Sequence, residues 1–324
     1  MHLLRDAFLL ALGFVVLVQS AKLFVNASVS IARRLKIPNL VIGLTVVAMG
    51  TSAPELMISV SAALAGSGDL AVANVVGSNI FNLVFIIGFC AALYPVNVNI
   101  NEISRDFWVS IGATVFLFFI VIIFHDTIPR FASFTLLAGF AVYMISLVRH
   151  TLKHKIDDAV SIDNADSETG QSGKKPKPLV LYIFLAVLGA ALIVVGGEIT
   201  VLSAVSIAQA LGVTERVIGL TIVAMGTSLP ELVTTIIACK KKEGEFAVGF
   251  IVGSNIFNMM FVLGLAGTIT PLAIERNTLF DIAVLTGGCL LFYLFAKTGK
   301  RITRLEGIFM AALYAGYMAV ILLL

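Results

Sequence analysis

Sixteen residues occur twice in this chain with fourteen identities: Val41–Leu56 reads VIGLTVVAMGTSAPEL, and Val217–Leu232, 176 residues on, reads VIGLTIVAMGTSLPEL. The same offset aligns GSNIFN at Gly77–Asn82 with an identical GSNIFN at Gly253–Asn258, Pro95 with Pro271, and Gly13 with Gly189. The chain is therefore two copies of one unit. Each copy sets a single carboxylate, Glu55 or Glu231, inside a stretch otherwise fit for lipid. A charge there is expensive and marks a functional site by default.

Composition fixes the solvent. Of 324 residues, 59% are hydrophobic and 13% charged, against about 25% charged in soluble domains. Apolar runs of membrane-spanning length recur throughout. They predict an all-α membrane protein with ten transmembrane helices, at roughly 7–32, 38–63, 71–94, 107–124, 131–148, 179–209, 216–238, 247–270, 280–296 and 305–324. Residues 1–150 form the first five-helix repeat and 179–324 the second. Between them, 151–178 is polar and contains Gly and Pro, and it reads as a disordered linker. Its acidic residues lack the spacing of a calcium-binding loop. The first apolar run reads as a retained span rather than a signal peptide, because it is long and has a counterpart in the second half. Cys90, Cys239 and Cys289 lie in apolar segments without metal-ligand spacing and read as small buried hydrophobes.

Five spans per copy is an odd number, so the second copy must enter the membrane from the opposite side. That arrangement, two inverted five-helix repeats, is associated with alternating-access transporters. Lys and Arg set the orientation. The loops after spans one, three, five, seven and nine carry 17 of them, and the remaining loops and termini carry 4. The richer set belongs in the cytoplasm. Both termini are then extracellular or periplasmic, and the central linker is cytoplasmic.

The chemistry follows from Gly50-Thr51-Ser52-Ala53-Pro54-Glu55. Pro54 has no N–H, so the helix is expected to break and free carbonyls between Ala48 and Gly50. Irregular backbone at that depth is tolerated only against protein or a water-filled cavity. Thr51 and Glu55, four apart, share a face, with Ser52 beside them. Thr227, Ser228 and Glu231 repeat the set. Spans three and eight add Ser78 with Asn82 and Ser254 with Asn258, while Asn79 and Asn255 read equally well as ligands or as interhelical struts. Together these form an oxygen cage bearing two negative charges, suited to a hard cation such as Ca²⁺ or to a pair of monovalent ions. Without a cation, two close carboxylates resist ionising together, so one should hold a proton. Lys22, the one Lys or Arg in mid-span, has Glu198 as its counterpart. The two are expected to pair or to snorkel.

The paired GTS(A/L)PE and GSNIFN motifs resemble the two alpha-repeats of sodium/calcium exchangers in the calcium:cation antiporter superfamily, over essentially the whole chain and in its prokaryotic form. The resemblance implies sites at the midplane between helices two, three, seven and eight. There Glu55, Glu231, Thr51 and Thr227 would hold Ca²⁺. The same groups with Ser52, Ser228, Ser78, Ser254 and the carbonyls of Ala48 and Ala224 would form overlapping Na⁺ sites. Helices one and six would slide across the core. Some relatives, potassium-dependent ones among them, carry Asp at the position of Asn258. The proton-coupled branch carries Gly-Asn-x-x-Glu where this chain has Gly-Thr-Ser-x-Pro-Glu. Both differences favour Na⁺ as the coupling ion.

The expected function is thus secondary active exchange of Na⁺ for Ca²⁺ by alternating access. The setting is a plasma (inner) membrane, with the lipid bilayer and the transported ions as partners. The chain is expected to function as a monomer, without a cofactor, nucleic acid or enzymatic activity. Three alternatives remain: H⁺-coupled or K⁺-dependent exchange at the same cage, a cation channel, and an intramembrane enzyme using the two glutamates. A channel usually builds its filter by subunit symmetry. An acid–base pair needs two unlike environments, whereas these are nearly identical.

Overall fold

A chain in lipid must satisfy its backbone internally, so apolar runs of this length become helices. The computed structural model describes residues 2–125, 127–162, 178–212, 224–274 and 278–323. Its helices are α1 (His2–Leu35), α2 (Asn39–Thr51), α3 (Ala53–Leu64), α4 (Gly68–Leu93), α5 (Ile100–Phe124) and α6 (Arg130–Ile162). They continue as α7 (Leu179–Ala210), α8 (Ala224–Gly226), α9 (Leu229–Lys240), α10 (Gly244–Ile269), α11 (Thr278–Gly299) and α12 (Arg304–Leu323). Among the described residues, eight helices are long and apolar enough to cross a membrane, and α2 with α3, bent by 49°, supply a ninth. Of the expected span at 216–238, residues 216–223 lie outside the described residues.

Helix α6 runs on to Ile162, twelve residues into the segment read as a disordered linker. Thr151–Ile162 holds neither Gly nor Pro, so nothing local ends the helix. The rest of that segment, 163–177, lies outside the described residues.

Helices α4 and α10 form the centre. Their most apolar windows are 78% and 94% buried, while no other spanning helix exceeds 44%. Every residue from Phe246 to Met260 is buried, as expected for a helix that is apolar all round. Glycines on α10 let α2 approach backbone to backbone. A Cβ on Gly253 would lie 2.6 Å from the Leu44 backbone, and one on Gly249 2.6 Å from the Leu40 carbonyl. This is small-residue packing, the usual means of close helix contact where the surrounding solvent is itself apolar.

The long helices α1 and α7 pack mainly on one another. Two equivalent contacts fix their crossing. A Cβ on Gly13 would lie 2.9 Å from the Thr200 nitrogen, and one on Gly189 would lie 3.1 Å from the Phe24 nitrogen. Phe24 and Thr200 are themselves 176 apart. Two short antiparallel ladders join the copies at their rims. β1 (Val96–Asn97) pairs with β4 (Arg301–Ile302), and β2 (Thr127–Ile128) pairs with β3 (Leu272–Ala273). Each ladder takes one strand from each half. Pro95 and Pro271 sit just before β1 and β3, where a residue that cannot extend a helix is well placed.

Candidate ion site

The bend between α2 and α3 is built in three steps. Helix α2 widens into a π segment at Gly43–Val47, tightens again over Ala48–Thr51, and stops at Ser52, whose φ and ψ are −81° and 14°. Pro54 then falls in the first turn of α3, where its missing N–H costs nothing. The second copy repeats the stop. Ser228 has φ −90° and ψ 8°, and Pro230 falls in the first turn of α9.

One expectation needs correction. The Ala48 carbonyl is not free: the Ser52 N–H donates to it at 3.1 Å and the Thr51 hydroxyl at 3.4 Å. The chain stays helical up to Thr51, so the break falls later than the proline alone suggested. A carbonyl has two lone pairs, and both are engaged when the Thr51 hydroxyl donates there. That hydroxyl lies as close to the Val47 carbonyl, at 3.3 Å, and donating to Val47 leaves Ala48 one acceptor direction. Ala224 opens α8 at the equivalent place.

Ser52, Glu55, Ser228 and Glu231 are fully buried and bond across the two copies. The Ser52 hydroxyl donates to Glu231 Oε1 at 3.3 Å, and the Ser228 hydroxyl donates to Glu55 Oε1 at 3.1 Å. Each serine therefore serves the other repeat's carboxylate. The second oxygen of each glutamate, Oε2, has no hydrogen-bond partner. Nor do the hydroxyls of Ser78 and Ser254, or the whole side-chain amides of Asn82 and Asn258. Thr51 is buried, and Thr227 is half-buried with an unpartnered hydroxyl.

Buried polar atoms are almost always bonded, and leaving one bare costs about 1–3 kcal/mol. Apart from Ser133 and Tyr143 on α6, the bare atoms among the described residues lie on α3, α4, α9 and α10 or, for Thr227, just before α9, and most are oxygens. The three ion pairs found among the described residues, Arg5–Asp6, Arg33–Glu243 and Arg105–Asp106, do not include either glutamate. No cluster of three or more His, Cys, Asp or Glu suited to a metal ion occurs among the described residues. The two carboxylates thus work with neutral oxygens, the donor set of a hard cation. Lys22 and Glu198 are both exposed and no ion pair joins them. They sit on exposed faces, where long side chains snorkel.

The local backbone around two of the named residues, and one further participant, were not legible in the sequence. Asn82 and Asn258 lie in further π segments, Phe81–Ile86 and Phe257–Val262. Such segments recur at functional sites because they re-aim side chains and backbone. Asn74 donates to the Glu55 carbonyl at 3.2 Å and to the Ser59 hydroxyl at 2.9 Å, which ties α4 to α3. The equivalent Glu231 carbonyl is served instead by the Thr235 hydroxyl at 2.7 Å, within its own helix. A polar Asn four residues before Ser78 in an apolar run was the available signal for Asn74. The three cysteines are buried, as expected.

Fold and site define a class: a polytopic helical membrane protein whose two sequence-related halves enclose an anionic oxygen cage. The chain belongs to the sodium/calcium exchanger protein family, whose model matches residues 6–149 and 181–323. It is 38% identical to a protein provisionally described as antiporter CaxA from Alkalimonas amylolytica, over 94% of this chain and 95% of that one. It is also 32% identical to the sodium/calcium exchanger MaX1 of Methanosarcina acetivorans, over 97% of each. Among solved structures, the sodium-calcium exchanger NCX_Mj soaked with zero Na⁺ and Ca²⁺ superposes with a TM-score of 0.83 at 31% identity, over 98% of this chain and 99% of that one.

Proposed function

We propose that this chain exchanges Na⁺ for Ca²⁺ across a plasma membrane by alternating access, working as a monomer in the bilayer. The observation that carries the reading is the reciprocal wiring of the cage. Each motif serine binds the other copy's glutamate, while the second oxygens of both glutamates stay bare. A dication placed among those oxygens balances two carboxylates that otherwise need protons. In this reading Glu55, Glu231, Thr51 and Thr227 hold Ca²⁺. Na⁺ takes overlapping positions that add Ser52, Ser228, Ser78, Ser254, Asn82, Asn258 and the carbonyls of Ala48 and Ala224. Na⁺ and Ca²⁺ compete for one cage, and an occupied cage permits the switch.

The switch itself is a movement of α1 and α7, which pack mostly on each other, across the buried pair α4 and α10. The architecture is ten spans in two inverted five-helix repeats. Both termini face outward, and the linker after α6 faces the cytoplasm. The strand exchange at the two rims and the charge distribution support this layout. If exchange moves net charge, the membrane potential contributes about 2.3 kcal/mol per charge per 100 mV.

The test uses purified protein in liposomes loaded with Na⁺ and diluted into Na⁺-free, K⁺-free buffer at matched pH. Ca²⁺ uptake that requires the outward Na⁺ gradient is expected. Uptake that instead needs K⁺ or a proton gradient would keep the cage and replace the coupling ion. Flux without any counter-ion would identify a channel.

A further inference from the structure

Beside the cage, Asn79 and Asn255 make a reciprocal contact through their amide nitrogens, while their amide oxygens have no hydrogen-bond partner. Asn79 Nδ2 donates to the Asn255 carbonyl at 3.1 Å, and Asn255 Nδ2 donates to the Asn79 carbonyl at 3.1 Å. The two residues are 176 apart, so each is the other's repeat counterpart. Both are almost completely buried. Around them α4 and α10 bring buried apolar side chains, among them Val75, Val76 and Ile80 on one helix and Ile251, Val252 and Ile256 on the other, beside the cage residues Ser78, Asn82, Ser254 and Asn258.

We infer that Asn79 and Asn255 form a clasp that sets the width of the ion cage and so its preference among divalent cations. They act as positioning residues rather than ligands, and the inference rests on Ca²⁺ binding at this cage. Covalently, Asn79 is next to Ser78 and Asn255 is next to Ser254. The path from one cage serine to the other therefore runs through one peptide unit, one short asparagine side chain and its hydrogen bond to the facing backbone, and no loop intervenes. Apolar packing alone allows two helices to slide and rotate by small amounts, because dispersion contacts have little direction. A reciprocal amide clasp fixes both register and separation, since each donor must meet one carbonyl. Ser78 with Asn82 and Ser254 with Asn258 are thereby held as two halves of one ring. A ring of fixed width discriminates among cations of equal charge by radius, favouring Ca²⁺ over the larger Sr²⁺ and Ba²⁺.

The experiment compares wild type with N79A, N255A and the double variant, using Na⁺-driven uptake of Ca²⁺, Sr²⁺ and Ba²⁺ in liposomes and thermal unfolding in detergent. Each single variant is expected to bind Ca²⁺ about tenfold more weakly, the worth of one buried hydrogen bond. Ba²⁺ should lose less, so the Ca²⁺-to-Ba²⁺ ratio narrows. The double variant should fall short of the product of the singles, because removing one amide already opens the clasp. A purely structural role predicts a lower unfolding temperature with the Ca²⁺-to-Ba²⁺ ratio unchanged, and that result would overturn the clasp. So would variants whose Ca²⁺ affinity matches wild type. If the alanine variants do not fold, N79S and N255S, which keep a polar group in the space, carry the same ratio measurement. A wild type without Na⁺-driven Ca²⁺ uptake would overturn the exchange reading instead, and the two failures are therefore distinct.

Discussion

The turn after α3 and the turn after α9 share a backbone and differ in chemistry. In the first, the Gly66 N–H donates to the Ala63 carbonyl and the Ser67 N–H to the Ala62 carbonyl. In the second, the Lys242 N–H donates to Cys239 and the Glu243 N–H to Ala238, the same bonds 176 residues on. Gly66 sits at φ +80° and Lys242 at φ +62°. Ala65-Gly66-Ser67 carries no charge, whereas Lys241-Lys242-Glu243 reaches across to α1 and the start of α2. Glu243 accepts from Arg33 at 3.4 Å and from Asn39 at 2.9 Å, and Lys241 Nζ donates to the Lys22 carbonyl and to Asn26 Oδ1. Burial, Lys22 and, in the opposite sense, Glu243 act on Lys241, and together they hold its ammonium below the usual lysine range. The counterparts of Asn26 and Arg33 on α7 are Leu202 and Gln209, which offer no matching charge. At the candidate site the two copies match in residue and in their reciprocal serine–glutamate bonds. At the turns they match in backbone alone.

The sharpest way to break this contrast is at the glutamates. E55Q and E231Q each strip one charge from a buried cage and should lower Ca²⁺ exchange at least about 100-fold, since an unbalanced buried charge costs about 3–5 kcal/mol. Proteoliposome uptake with correctly folded variants is the measurement. Losses that differ greatly between the two would show a functional asymmetry that the geometry lacks. Next come S52A and S228A, each of which removes a hydrogen bond to a carboxylate. Such bonds contribute about 1.5–3 kcal/mol, so Ca²⁺ affinity should fall roughly tenfold or more, and by similar amounts in both.

At the turns the expected effects are smaller and opposite in sign. G66A forces a side chain into left-handed backbone and should destabilise by about 1–2 kcal/mol, whereas K242G removes that strain and should stabilise. Thermal unfolding reads both. Smallest is E243A, which releases Arg33 and Asn39. It should lower stability by no more than about 1 kcal/mol, with an effect that shrinks as salt rises, while S67A should change nothing. Acid tests the cage from another side. Protons and cations seek the same carboxylates, so lowering pH should slow Ca²⁺ uptake, and raising Ca²⁺ should restore it. Inhibition that excess Ca²⁺ cannot relieve would place the titrating group elsewhere.

Much of the cage was visible in the chain because its signal is local and duplicated. A carboxylate, a hydroxyl pair and a proline within six residues, found twice at one offset, need no contact map to stand out. The break at Ser52 and Ser228 followed from Pro54 and Pro230, though one residue's bonding differed: the Ala48 carbonyl keeps its helical partner because the chain bends only after Thr51. The continuation of α6 to Ile162 went unseen because its polar composition suggested a linker while its lack of Gly and Pro permitted a helix. The π segments at Phe81–Ile86 and Phe257–Val262 had no sequence signature. One extra residue per turn reflects a compromise with neighbouring helices rather than a propensity of its own.

The amino-acid order by itself determined that this chain lives in lipid, that it is two copies of one unit, and that each copy brings one glutamate among hydroxyls and amides. Those properties depend on composition and spacing along a strand. Only the tertiary structure decided which copy serves which. That Ser52 binds Glu231 rather than Glu55, and that Asn79 clasps Asn255 rather than a neighbour on its own helix, depends on bringing residues 176 or more apart to within about 3 Å. Hydrogen bonds are short and directional, so sequence can name the partners available but only the packed helices choose among them.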